Sequence, residues 1–177
     1  MASAPSHAPA RPARAGDSGA LRALPLRRDR RRELTGEIAR YLGAVSILLV
    51  GAVHAQQYYE AFFSVVPTIG TLFLLSFIGA GIFGTVLFAP VRLLGRRVGD
   101  LILAFAALGS ISIALGTLVS LLISEYTPLF GFMESGYRLA VVLTLLFDGL
   151  TTLFLGVFLL IVGPRVIQTI TTEWRTR

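Results

Sequence analysis

Two ionisable side chains stand against apolar runs and define the chemistry the chain can offer. Asp148 lies ten residues into the run that opens near Leu139, about 15 Å along a helix at ~1.5 Å per residue. That depth is close to the middle of a bilayer, where a carboxyl costs a few kilocalories per mole and turns toward a partner inside the protein. Three uses fit it. It can be the titrating group of a small proton-linked carrier, part of a polar ligand site, or an interhelical clamp, a neutral Asp148 bonded to Ser110, Ser112, Thr117 or a backbone carbonyl. The absence of a second ionisable residue in mid-run favours the clamp.

His54 forms the second group, with Gln57, Tyr58 and Glu60 after it and Pro67 and Thr68 opening the next run. Helical spacing puts His54 and Tyr58 on one face. A climb from Ile38 of about 25 Å brings His54 to the outer membrane boundary. There it can sense external pH, ligate a haem shared with another chain, or serve as an interfacial histidine bonded to Glu125 or Glu134. The connection 124–138, with Leu129, Phe130, Phe132 and Met133, is too apolar for a solvated loop. It is read as lying in the interface, either as a plain anchor or as a lid over a site for a lipid, a quinone or a partner helix. The candidate ligand or partner site is therefore His54, Gln57, Tyr58, Glu60, Thr68, Glu134 and Asp148.

Composition removes other chemistries. None of the 177 residues is cysteine, so disulfides, thiolate metal sites, thiol nucleophiles and covalently attached haem are excluded. With two histidines, His7 and His54, the chain cannot supply a three-histidine zinc site. No cofactor is expected, haem or quinone entering only if shared with a partner. Gly79-Ala-Gly81-Ile-Phe-Gly84 has the outline of a dinucleotide loop, but it lies within a spanning segment and not at a strand-to-helix turn. No catalytic residues are assigned, and the chain is read as a non-enzyme.

The elements that must position these residues are membrane helices. Charged residues make up 15% of the chain against 54% hydrophobic, whereas a soluble domain carries about a quarter charged. Four apolar segments of spanning length are predicted, at about 38–58, 67–88, 101–123 and 139–163. Asp100 is expected to cap the third, and Pro164 to end the fourth. Residues 1–34, rich in Ala, Pro, Ser and Arg, read as a disordered basic cytoplasmic tail. Residues 35–165 form the transmembrane domain, and 166–177 a short cytoplasmic tail.

All 16 basic residues are Arg, and the net charge is +6. Nine lie in the first forty residues, three in the 90–100 connection, three in the last thirteen residues, and Arg138 alone falls on the other side. By the positive-inside rule both termini are expected on the cytoplasmic side of the membrane. The positive charge is thus assigned to a membrane surface and not to nucleic acid. Arg27, Arg28, Arg30, Arg31 and Arg32 are expected to contact anionic headgroups, at ~1 kcal/mol per charge. Small residues should pack the helices: Ser76, Ala80 and Gly84 in the second, Gly109, Ser110, Gly116 and Thr117 in the third. The fold class expected is an all-α membrane protein, a four-helix up-down-up-down bundle.

The stretches around His54, Val66-Pro67-Thr68-Ile69-Gly70-Thr71-Leu72-Phe73, Gly116-Thr117-Leu118 and Leu129-Phe130-Gly131-Phe132 resemble a group of small uncharacterised four-helix integral membrane proteins of actinobacteria. The resemblance covers most of the membrane part and none of the first forty residues. It implies the topology and draws attention to the outer cluster, but implies no reaction. In that group the last helix carries a Glu where this chain has Asp148 nearby. Short connections, the lack of a redox or metal ligand set and the small-residue stripes lead to the expectation of a non-enzymatic membrane protein that associates with a membrane partner, a lipid or its own copy through its outer-leaflet face. The resemblance implies the inner membrane of a bacterial cell.

Overall fold

The computed structural model describes residues 17–60, 65, 67–128 and 139–175, and these are almost wholly helical. Helix α1 is Asp17–Tyr59, α2 is Pro67–Phe88, α3 is Arg96–Tyr126 and α4 is Leu139–Arg175. A 3₁₀ turn, Val91–Leu94, joins α2 to α3. Each of the four helices holds a stretch long and apolar enough to cross a membrane. The bounds of α2 match the sequence reading, and the other helices run past theirs.

Each departure has a local cause. Helix α1 takes in residues 17–34, part of the expected tail, where Ala, Leu and Arg are strong helix formers. Asp100 does not cap α3, because the helix begins four residues earlier, after Gly95 at φ 109°. Only glycine adopts that backbone without strain. Pro164 does not end α4 but lies inside it. It lacks the N–H that would bond the Leu160 carbonyl, a loss that helices in membranes accommodate by local adjustment.

Helix α1 organises the packing. It contacts both α2 and α4, while α3 closes the ring against the same two. Its membrane stretch is 56% buried, against 17% for that of α2. Ala39, Ala44, Ile47, Val50, Val53 and His54 recur at helical spacing on its buried side, and Ile47 and Val50 meet Leu87, Leu103, Leu155 and Phe158 in the core. Two of the three residues of the expected small-residue stripe on α2 pack against α1: a Cβ on Gly84 would lie 2.6 Å from Leu48, and Ala80 sits against Gly51. On α3, Gly109 admits the Phe83 ring, whereas Gly116 faces open space.

An ionic cluster fastens one end. Arg92 donates from Nε to Asp100 Oδ1 at 2.8 Å and from its terminal nitrogen to Glu37. Glu37 also pairs with the buried Arg40 at 2.7 Å, and Arg96 pairs with Glu33 at 2.9 Å. Partial burial opposes the Arg92 charge, but the hydrogen bonds and charges of Asp100 and Glu37 outweigh it and raise its pKa above the ordinary value. The cluster ties α1 to the α2–α3 connection.

Candidate functional site

At the opposite end, the last turns of α1 and α3 meet the first turns of α2 and α4 around a cavity of about 330 Å³. From α1 it takes His54 and Gln57; from α2, Ile69, Leu72, Phe73 and Ser76. Helix α3 contributes a row at steps of four, Ser112, Gly116, Ser120 and Ser124, and α4 adds Val141 and Thr144. Twelve residues from Ser112 to Ser124 make the row about 18 Å long, so the cavity runs along the helices.

His54 is 5% exposed. Its Nδ1 lies 2.8 Å from the Val50 carbonyl, which can only accept, so Nδ1 carries the proton of that bond. In the neutral ring the lone pair is then on Nε2. The imidazole also leans on Phe73, with ring centroids 5.1 Å apart. Backbone and aromatic contacts thus fix the ring that lines the cavity.

Below this wall, the Thr117 hydroxyl donates to Asp148 Oδ2 at 2.5 Å. The same hydroxyl is 3.1 Å from the Ile113 carbonyl and 3.0 Å from that of Ala114. Asp148 is fully buried. Among the described residues its Oδ1 has no hydrogen-bond partner, nor does Thr151 Oγ1, one turn along α4. Of the partners expected for Asp148, Thr117 is the one found; Ser110 and Ser112 bond the carbonyls of their own helix, Ala106 and Leu108.

The remaining sequence candidates divide. His54 and Gln57 line the cavity, and Asp148 is one hydrogen bond behind it through Thr117. Tyr58, Glu60 and Thr68 are not among its described lining. Tyr58 meets Tyr59 edge to face at 4.9 Å, Glu60 is exposed and accepts from Gln56 Nε2 at 3.0 Å, and Thr68 is exposed. Glu134 and the apolar stretch 129–138 lie outside the described residues, as do the side chains of Arg27 and Arg28. Arg30, Arg31 and Arg32 are exposed on α1. Ser120, Ser124 and Thr144 were not singled out as site residues from sequence, and Ser112 and Gly116 were named only as a partner for Asp148 and a packing residue, although the four-residue spacing of Ser112, Gly116, Ser120 and Ser124 marks one helix face.

Among the described residues, no group of three or more His, Cys, Asp or Glu side chains is placed to hold a metal ion. The arrangement is a chamber, apolar along most of its length, with one fixed imidazole and a set of hydroxyls. Compared with models of protein families, with curated proteins and with solved structures, the chain matches none.

Proposed function

We propose that this is a non-enzymatic integral membrane protein that takes a lipid-soluble ligand from the bilayer into the cavity at its outer-leaflet end. The observation that carries this reading is the exposure of three lining residues. Leu72 on α2 and Ser112 and Gly116 on α3 border the cavity and are exposed. A cavity bordered by such residues opens sideways between α2 and α3, where acyl chains surround the protein. A water-borne solute has no reason to enter there; a lipid or isoprenoid does.

The orientation in this reading rests on arginine placement, which assigns the His54 end to the outer side with both termini in the cytoplasm. The basic stretch of α1 then meets anionic headgroups of the inner leaflet. Lipid analysis of protein purified in mild detergent tests the proposal. Wild type is expected to retain a lipid or isoprenoid at near one per chain, and Gly116→Leu, which fills the opening, to lose it. Equal retention by both, or none by wild type, overturns the reading.

A second reading, a proton-linked carrier, draws on Asp148 Oδ1 and Thr151 Oγ1 behind the cavity, which have no hydrogen-bond partner among the described residues. Solute-driven proton release from solubilised protein, lost in Asp148→Asn, would support it over simple binding.

A further inference from the structure

The hydrogen-bonding sense of the cavity wall narrows the ligand. Four polar lining residues have described hydrogen bonds, and all four give their proton away from the cavity. His54 donates Nδ1–H to Val50, Ser112 donates to the Leu108 carbonyl at 2.9 Å, and Ser124 to that of Leu121 at 2.7 Å. Thr117 donates to Asp148 or to carbonyls of its own helix. What these groups retain for a ligand is lone pairs. Gln57, Ser76, Ser120 and Thr144 can turn either way, so they adapt to a second polar group without fixing the first.

The His54 acceptor is the one with least freedom. Its side chain is mostly buried, its tautomer is set by Val50, and its ring is held against Phe73. An acceptor left without a donor in an apolar chamber costs free energy, and a ligand that supplies the donor recovers it. At His54, a ligand oxygen of carbonyl or ether type sets lone pair against lone pair.

We infer that the cavity selects an alcohol or phenol on a long apolar body, its O–H donated to His54 Nε2. The inference rests on the cavity reading above and adds a polarity to it. It separates a hydroquinone from the corresponding quinone, and a lipid with a free hydroxyl from one that is fully esterified or etherified.

The probes are 1-dodecanol and its methyl ether, titrated into the delipidated full chain in the same detergent, with affinities expressed per mole fraction in the micelle. Wild type is expected to bind the alcohol about 5- to 10-fold tighter, the worth of one net hydrogen bond. His54→Phe keeps a ring against Phe73 and should bind both probes alike. Equal binding by wild type overturns the donor inference and leaves the cavity reading standing. Binding of neither probe overturns both. A preference that survives in His54→Phe removes His54 from the role. Nitrogen-15 shifts of His54 in unaltered protein give a check that needs no variant. An N–H nitrogen at Nδ1 and a lone-pair nitrogen at Nε2 are expected, with Nε2 moving when the alcohol is added. Two N–H nitrogens in the free protein would overturn the inference.

Discussion

The Thr117 hydroxyl lies 2.5 Å from Asp148 Oδ2, so a single side chain on the cavity wall reaches the carboxyl buried in α4. Interhelical hydrogen bonds in membranes contribute only ~0.6 kcal/mol on average, because the separated helices find other partners. The larger effect comes from breaking one side alone. Thr117→Val leaves Asp148 with neither oxygen bonded across the seam and is expected to destabilise the bundle by about 1–3 kcal/mol. Adding Asp148→Leu to that variant should restore most of the loss. Unfolding titrations in mixed micelles would measure the cycle, and additive effects would dissociate the two residues.

The Arg92 cluster gives a second contrast. Arg92 uses Nε for Asp100 and a terminal nitrogen for Glu37, a forked geometry that lysine cannot reproduce. Arg92→Lys should therefore destabilise by about 1–2 kcal/mol, since the mostly buried Asp100 loses its bond. The Arg96–Glu33 pair is largely exposed, and Arg96→Ala should change stability by less than ~0.5 kcal/mol. The same micellar titration ranks the two variants.

Two glycines make a matched pair. A Cβ at Gly99 would lie 2.6 Å from the Arg92 Cα, a backbone atom that cannot turn aside, while one at Gly81 meets nothing within 4 Å. Gly99→Ala is expected to cost about 1–3 kcal/mol through displacement of the α2–α3 turn. Gly81→Ala should be neutral or mildly stabilising. Thermal unfolding in detergent distinguishes them, and equal midpoints would show that the turn gives way freely.

The orientation is open to direct measurement. A reporter fused after Arg177 should be active only on the cytoplasmic side, and one placed in the 129–138 connection only outside. The reverse pattern would turn the cavity end toward the cytoplasm and place the α1 arginines at the outer surface.

The helices were legible in the sequence because an apolar run of fixed length is a coarse property, insensitive to which neighbour covers it. Their ends were less so. Asp100 reads as a cap until Gly95 is seen to start the helix and Arg92 to take up the carboxylate. Pro164 reads as a stop until α4 is seen to continue through it. For the site, His54 and Asp148 stand out because charge is rare inside apolar runs, and Thr117 was among the partners named for Asp148. Tyr58, Glu60 and Thr68 were grouped with His54 by nearness along the chain, whereas the cavity is assembled from four helix ends and draws on hydroxyls distant in sequence. Proximity in sequence carries no information about which turn of another helix arrives opposite.

The ionic cluster also determines how the protein meets an energised membrane. Its ion pairs join three acids, Glu33, Glu37 and Asp100, to three arginines, Arg40, Arg92 and Arg96, so as a unit it is electroneutral. An electric field does work only on charge that moves, at ~2.3 kcal/mol per elementary charge per 100 mV. Shifting these six side chains as one body transfers almost none. The paired cluster is therefore held alike in a polarised and a depolarised membrane, and any voltage sensitivity has to arise from other charges, Arg97 and the arginines of 30–32 among them.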